Sequence, residues 1–491
     1  MSRKFNSNLF MLALGAAFCL LVAGCTVGPN YQRPPVTAPE QVRGQVGPSE
    51  AASLADRPWW EIFQDAELKG LIDEALRNSY DVRLAAWRVE EARAAAGISR
   101  SQLLPQVQAG AGWSRGQSSK LVNPGARPEN LYDANLGVSW EIDLWGRIRR
   151  LNEAARAEVL ATEEARRGVL LSLVSDVATS YFRLRELDLE LEIAKRSAAA
   201  FQETYDLFNR RLEAGAASGL ETASAGATLA STEAEIPDLE RRIVAQENQL
   251  AFLLGRNPGP IARGRALNDQ LLPPQIPAGL PSDLLERRPD LREAEQQLVA
   301  ANAEVGVAAA NFFPRLSLTG VFGGVAPQVA DLFGDGKTWS AGGGLLSPVF
   351  QGRRLSQEHR AAVARWQQAK VQYEASVTNA FTEVSTALVA YQKLADTERE
   401  QARAVASYRQ AVRLSNDRYL AGLADYLEVL QAQQQQLAVE DSLARARRDR
   451  LVSLVQLYKA LGGGWKLSDQ EWSRSETQGL SLTLAWIAPR P

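Results

Sequence analysis

Cysteine, histidine and methionine are scarce in this chain: its 491 residues include two cysteines, two methionines and a single histidine, His359. Two cysteines exclude a disulfide scaffold and the zinc modules that need several cysteine ligands. One histidine disfavours a histidine-based catalytic or metal centre. Lysine and arginine number 55 against 57 aspartates and glutamates, so the basic surface of a nucleic-acid-binding protein is also missing. These absences favour a structural or transport protein over an enzyme, and no cofactor or metal is expected.

Long apolar runs are absent beyond the first 25 residues. Residues 1–24 combine a basic start, a short apolar run and small residues, the pattern of an export signal. Val22-Ala23-Gly24-Cys25 resembles a bacterial lipobox, so Cys25 is predicted to become the acylated N-terminus; an ordinary signal peptide with an incidental cysteine is the alternative. Thr26 follows the cysteine where an aspartate would favour the inner membrane, which indicates the outer membrane. Any membrane crossing would require a β-barrel, because no later stretch is long and apolar enough for a spanning helix.

The chain is a tandem duplication. Ala214-Gly215 aligns with Ala421-Gly422, and Leu220-Glu221 aligns with Leu427-Glu428, without a gap between them. The proline-rich joint is predicted to be a linker. The predicted organisation is a signal peptide at 1–24, a lipidated N-terminal segment at 25–71, a first repeat at 72–255, a linker at 256–280, a second repeat at 281–462 and a C-terminal segment at 463–491.

Each repeat is predicted to contain a helix, two short strands and a long helical hairpin. Strict alternation of apolar and polar residues at 107–113 and 132–144 predicts two strands that are wet on one face. Weaker alternation at 316–322 and 339–350 predicts the other two strands. Four aromatic residues on the outward faces are predicted to contact lipid at interface depth: Trp113, Trp140, Phe322 and Trp339.

The polar positions of these strands include Asp133, Glu141 and Asp143. They would either bias the passage of ions, as carboxylate rings do in channels, or simply wet the interior of a barrel.

The hairpins are predicted from long stretches without proline. A helix from Arg147 to Glu213 would extend about 100 Å at about 1.5 Å per residue. The second repeat predicts a matching helix from about Arg353 to Ala421. Leu220–Leu254 and Leu427–Leu461 are the predicted return arms.

Four strands in one chain cannot close a barrel, and an open sheet edge is not tolerated in lipid. Closed bacterial barrels begin at about eight strands. The barrel must therefore be assembled from two or more chains.

Four separated motifs stand in the order that is typical of one family: Pro58–Phe63, Arg288–Glu295, Asn311–Pro314 and Arg418–Gly422. Through them the chain resembles the outer membrane factor family, the TolC-like efflux channels. The resemblance is to the lipoprotein branch that serves resistance-nodulation-division (RND) pumps, and it covers essentially the whole mature chain.

The resemblance implies a fold, a location and partners. The fold is α+β: a trimer with four strands per protomer forms a twelve-stranded transmembrane β-barrel on a long twelve-helix periplasmic α-barrel. The protein would be lipid-anchored in the bacterial outer membrane and extend into the periplasm. Its partners would be two further copies of itself, outer-membrane lipid, a periplasmic adaptor (membrane fusion protein) and an inner-membrane RND-type transporter, with no nucleic acid.

The resemblance also implies a periplasmic gate at the hairpin turns. Tyr419, three residues before its turn glycine, matches the family's latch tyrosine. Glu221 and Glu428, each six residues after its glycine, match aspartates of the latch and of the constriction ring. A hydroxyl bond from Tyr419 to Glu221 of a neighbouring hairpin would hold the tip shut.

The gate departs from the family pattern at two positions. The latch arginine is replaced by Ala424, and a second ring aspartate is replaced by Gln431. Asp425 would restore part of that charge. Closure by polar bonds and closure by apolar packing both remain open.

The function implied is a passive exit duct of a tripartite efflux pump for drugs or other small toxic compounds. The alternative within this class is the outer-membrane component of a type I protein secretion system. A lipid-anchored coiled-coil adaptor would have no reason for a lipid-facing aromatic belt. A barrel-anchored enzyme is disfavoured by the missing catalytic residues.

Overall fold

The computed structural model describes residues 26–36, 38–39, 41–45, 53–272, 281–468 and 471–472. The predicted signal peptide and Cys25 lie outside the described residues. Among the helices within this part of the chain, none has the length and hydropathy needed to cross a membrane.

The first half contains two helices, two strands and a hairpin of long helices. In chain order they are α1 (Ala66–Asn78), α2 (Tyr80–Ser101), β1 (Gln106–Gly116), β2 (Glu129–Ile142), α3 (Arg147–Glu213) and α4 (Gly219–Leu253). The structure gives α3 the predicted bounds. Pro237 lies inside α4, which continues as a helix on both sides of it.

The second half repeats the order of helix, two strands and hairpin. Its elements are α5 (Pro289–Ala310), β3 (Arg315–Ala326), β4 (Lys337–Leu346), α6 (Arg354–Leu420) and α7 (Tyr426–Ala460). Helix α6 is one residue shorter at each end than predicted. Short helical turns at Trp59–Ile62 and Leu284–Arg287 precede the two halves.

The chain divides into two compact units, each made of separate stretches. The first consists of Met1–Val36, Trp87–Glu163 and Glu293–Ala375, and the second consists of Thr37–Ala86, Glu164–Arg292 and Ser376–Pro491. The segments predicted from the sequence concern the order of elements along the chain, and their boundaries remain a prediction.

The first unit contains an antiparallel sheet in the order β1-β2-β3-β4. Trp113 pairs with Tyr132, and Phe322 pairs with both Leu136 and Trp339. Directly paired residues lie on the same face of a sheet, so the large apolar side chains share one face. The opposite face carries mainly polar residues and glycines, as the alternation predicts, with Leu131, Val321 and Val325 among the apolar exceptions.

Both hairpins in the second unit turn at a glycine in the left-handed conformation. The φ angles are 72° at Gly215 and 69° at Gly422, which a residue with a Cβ rarely adopts. At each turn a backbone N–H reaches back to the last helical turn: Ala216 donates to Arg211 and Leu423 donates to Arg418. These bonds close the last helical turn of α3 and of α6 in the same way. The duplication therefore extends to the geometry of the turns.

The core of the second unit explains the tryptophan-rich motif near the N-terminus. Trp59 is fully buried and packs edge-to-face against Trp60. Phe63 contacts the rings of Phe182 and Tyr458, which lie on the long helices of the two halves. The motif therefore serves the packing of this unit.

Candidate functional site

The predicted gate residues lie at four helix ends beside the two hairpin turns. Tyr419 is in the last turn of α6, and Glu221 is in the first turn of α4. Asp425 is the residue before α7, and Glu428 is in its first turn. The structure therefore brings all four positions to the turns, as the alignment of the repeats predicts.

Tyr419 is bound by the other hairpin of the same chain. The guanidinium of Arg211, at the end of α3, donates a hydrogen bond to the Tyr419 phenol oxygen. The same guanidinium lies 5.4 Å from the centre of the Tyr419 ring, a distance typical of cation–π contacts. Sequence reasoning missed Arg211, because its spacing within α3 gives no sign of the helix it faces.

An aromatic cluster surrounds this contact. The ring of Tyr426 packs edge-to-face against Phe208 at 4.5 Å and against Tyr419 at 5.2 Å. The Tyr426 hydroxyl also makes a 2.9 Å hydrogen bond with Thr204 Oγ1. Burial raises the pKa of Tyr426. We call Phe208, Tyr419 and Tyr426 the tip cluster; apolar side chains of both hairpins pack around it.

Glu221 does not bond to Tyr419 within this chain. Its side chain accepts the backbone N–H of Ser218 at 2.8 Å, while the Ser218 hydroxyl accepts the backbone N–H of Glu221. This reciprocal capping stabilises the start of α4. A bond between Tyr419 and Glu221 of different protomers remains a prediction.

The second turn carries the predicted charges. The Asp425 side chain makes no capping hydrogen bond to α7. Glu428 lies 3.7 Å from the guanidinium of Arg418, and both side chains are exposed. An exposed ion pair of this kind contributes little to stability. The role of both acids in a constriction ring remains a prediction.

Above the tip, buried carboxylates join α3 to α7. Glu186 bonds to Arg448 at 2.6 Å, Glu190 bonds to Arg445 at 2.9 Å, and Glu440 bonds to Arg196 at 2.5 Å. Glu440 also accepts from Arg409 on α6. We call these contacts the polar seam. Glu186 and Glu190 are four residues apart on α3, a spacing that places them on one helix face, but the sequence does not show which helix lies opposite.

Asp441 adds a further carboxylate to the polar seam. Burial raises its pKa to about 7, reinforced by the nearby carboxylates of Glu190, Glu235 and Glu440 and opposed by Arg445. In the unfolded chain the pKa of aspartate is about 3.9. Between these two pH values Asp441 is protonated in the folded protein but ionised in the unfolded chain.

We expect Asp441→Asn to stabilise the protein above pH 7 and to have little effect near pH 4. The stability that the protonated Asp441 contributes is complete below its unfolded pKa and is lost as the pH rises through about 7. At this half-buried site, solvent screening limits the gain to on the order of 1–2 kcal/mol per protomer. Thermal unfolding in detergent from pH 4 to 9 measures it. The exposed Glu233→Gln is the control, and a gain at Asp441 that does not change with pH would contradict the prediction.

The predicted lipid-facing aromatics share one face of the sheet, with differing exposure. Trp113 and Trp339 are 64% and 73% exposed, and Phe322 is half-exposed. Trp140 is less exposed, and its indole N–H donates to the Leu103 carbonyl at 3.0 Å. Contact of this face with lipid remains a prediction.

Two of the acids assigned to the polar side have basic partners. Glu141 accepts two hydrogen bonds of 2.9 Å from Arg147. Asp143, just beyond β2, binds the guanidinium of Arg149. Asp133 is joined only by a long contact from Asn135 among the bonds of the described residues. This pairing favours wetting of the interior over ion selection for Glu141 and Asp143. Among the described residues, no cluster of three or more His, Cys, Asp or Glu side chains could hold a metal ion.

The residues that follow Cys25 are tied to the first unit. The backbone N–H of Val27 donates to the Trp145 carbonyl, just after the end of β2. Arg150 binds the Gly28 carbonyl and the Asn30 side chain. Further along, Arg33 makes two hydrogen bonds of 2.6 Å with Glu295. The N-terminal segment therefore starts beside the end of a strand.

The chain combines a sheet that has one aromatic, apolar face with two long helical hairpins. This combination is typical of an outer-membrane channel subunit. The family described as outer membrane efflux protein matches residues 71–256 and 280–463. The chain belongs to this family.

Relatives match over nearly their whole length. The cation efflux system protein CusC of Escherichia coli O6:H1 is 35% identical, with 91% of this chain and 98% of CusC covered. The solvent efflux pump outer membrane protein SrpC of Pseudomonas putida is 35% identical, with 95% of this chain and 99% of SrpC covered. The solved outer-membrane channel OprN superimposes with a TM-score of 0.83 at 32% identity, covering 90% of this chain and 100% of OprN.

These matches confirm the family and the α+β fold class predicted from the sequence, that of trimeric channels with a β-barrel and a helical barrel. The chain is an outer-membrane efflux channel of the lipoprotein branch associated with RND pumps, located in the outer membrane and extending into the periplasm. Its relatives are channel proteins and not enzymes.

Proposed function

We propose that three copies of the chain form the exit duct of a tripartite pump, in which a periplasmic adaptor couples the duct to an inner-membrane RND-type transporter. The sheet carries this proposal, because within the described residues β1 and β4 are its outer strands and do not pair with each other. Unpaired edges in lipid must be closed by other strands. Two further copies would supply these strands, and the total would then exceed the roughly eight strands at which closed bacterial barrels begin.

Drugs or other small toxic compounds are the proposed cargo. CusC is named for cation efflux and SrpC for solvent efflux, yet both match this chain almost end to end. One architecture therefore serves different cargo, which supports selection by the transporter. Because both relatives are efflux proteins, type I protein secretion is the less favoured role.

The hairpin turns are the proposed periplasmic gate, with Tyr419, Glu221, Asp425 and Glu428 as its residues. All four lie at helix ends beside the turns. Three copies of Glu428 around a threefold axis would repel one another. The packing of the tip cluster and the Arg211–Tyr419 contact oppose that repulsion within each protomer.

Cys25 is the proposed lipid anchor. Two residues further along the sequence, the backbone N–H of Val27 donates to the Trp145 carbonyl just after the end of β2, which supports an anchor at this end of the sheet. Two or three acyl chains contribute about 0.8 kcal/mol per buried CH₂ and make a stable anchor.

One preparation tests the assembly and the duct. Native mass spectrometry in detergent should give three times the mass of a subunit that begins at an acylated Cys25. The same trimers should conduct ions across a planar bilayer. Cys25→Ala should yield a subunit without the lipid and weaken its membrane attachment. A stable monomer that conducts, or trimers that never conduct, would contradict the proposal; a subunit starting at Thr26 would contradict only the anchor.

A further inference from the structure

The two hairpins of one chain have equivalent arginines with different partners. Arg211 at the end of α3 corresponds to Arg418 at the end of α6, each four residues before its turn glycine. Arg418 stays on its own hairpin, where it lies 3.7 Å from Glu428 and 3.5 Å from the Leu423 carbonyl. Arg211 instead reaches the other hairpin and binds Tyr419. Of these two equivalent arginines, only Arg211 therefore bonds to the other hairpin.

The reason for the asymmetry lies in the residue after each arginine. Tyr419 follows Arg418, whereas Leu212 follows Arg211 and is exposed. Only the second hairpin therefore offers an aromatic ring and a phenol oxygen to the first. An arginine can use both at once, because its planar guanidinium donates hydrogen bonds and attracts a ring face.

The Tyr419 ring is held in place for this contact. Tyr426 packs against it edge-to-face, and Phe208 on α3 lies 6.5 Å from it. The contact is also the last in a series between α3 and the second hairpin, which starts at Glu186 and Arg448 and passes through Arg196 and Glu440. Arg211 closes this series at the turns, where the hairpins end.

We propose that Arg211 is the positioning residue of the periplasmic gate: it holds Tyr419, and with it the end of the second hairpin, against the first hairpin of the same protomer. This inference rests on the proposed gate function. Opening of the tip then requires either loss of the Arg211–Tyr419 contact or movement of both hairpins together.

Arg211→Gln removes the charge and keeps a hydrogen-bonding side chain of similar reach. We expect it to raise the ratio of open to closed channels by at least about tenfold, because one charged hydrogen bond and one cation–π contact are lost. Arg211→Lys keeps the charge and should restore most of the closure. Arg210→Gln is the matched control, because Arg210 is the exposed neighbour and its side chain forms no hydrogen bond or ion pair with any described residue. Single-channel recording of verified trimers in planar bilayers gives the open probability of each.

A second background separates a positioning role from a general loss of structure. In Tyr419→Ala protein, Arg211→Gln should cause no further increase, because its partner is already gone. An equal effect in both backgrounds, or an Arg211→Gln channel that behaves like Arg210→Gln, would overturn the inference. If Arg211→Gln does not assemble, Arg211→Lys is compared with Arg210→Lys instead. Arg211→Lys should then raise the open probability slightly, and this rise should disappear in the Tyr419→Ala background. No rise in open probability would overturn the inference. Failure of the unmodified trimer to conduct would instead refute the proposed function.

Discussion

Replacing Arg196 and Arg409 together with glutamine is expected to destabilise the folded protein by about 3–5 kcal/mol per protomer, because it leaves a buried carboxylate without a cation. Glu440 is only 5% exposed and takes hydrogen bonds from both arginines. Burial alone would raise the pKa of Glu440, but hydrogen bonds from Arg409 and Gln436 and the charge of Arg196 hold it below its usual value. Thermal or denaturant unfolding in detergent, followed by circular dichroism, measures the loss.

In the polar seam the acid Glu440 is buried whereas its two arginine partners are half-exposed, so removing the acid serves as the control for removing the arginines. The two arginines are half-exposed, so Glu440→Gln lets them turn toward water and should cost only about 1–2 kcal/mol. Adding Glu440→Gln to the arginine double variant should recover much of its stability. The loss should also shrink at low pH, where the unpaired carboxylate takes up a proton. Equal stability of the double and triple variants would show that the buried charge is not the cause.

The secondary structure could be predicted closely because its signals are long and locally encoded. Proline-free stretches and turn glycines place α3 within its observed bounds and α6 within one residue at each end. Alternation places β1 and β2 where the sheet has them. In each case the signal lies in the order of residues along one element, which is independent of what packs against it.

The partners of polar side chains could not be predicted in the same way. Within the chain Tyr419 binds Arg211 and Glu221 caps its own helix, two contacts that the sequence did not indicate. For Glu141 the sequence left ion selection and wetting of the interior as alternatives, and it did not indicate the ion pair with Arg147. Sequence spacing shows which residues share a helix or sheet face, whereas pairing depends on the neighbouring element and its register.

Closure of the tip can be tested at a residue where a polar bond and apolar packing occur together. The sequence left polar bonds and apolar packing as alternatives, and the structure contains both at one residue. Tyr426 is 6% exposed, packs against Phe208 and Tyr419, and makes a hydroxyl bond with Thr204. Variants of Tyr426 can therefore remove the hydroxyl contacts alone, or these contacts and the ring packing together.

Tyr426→Ala is expected to open the resting channel far more than Tyr426→Phe. The phenylalanine variant loses the hydroxyl with its hydrogen bond to Thr204 and its longer contact of 3.4 Å to Gln433. Together these are worth about 1 kcal/mol, which corresponds to roughly a fivefold change in the closed-to-open ratio. The alanine variant also loses a buried ring, and truncation of a buried aromatic residue costs about 3–5 kcal/mol. If the ring is packed only in the closed tip, the ratio should change by at least about a hundredfold. Single-channel recording of trimers verified by native mass spectrometry gives both ratios. If closure depends on polar bonds, the two variants should have similar closed-to-open ratios. A much lower ratio in Tyr426→Ala than in Tyr426→Phe would assign closure to the aromatic packing of the tip cluster.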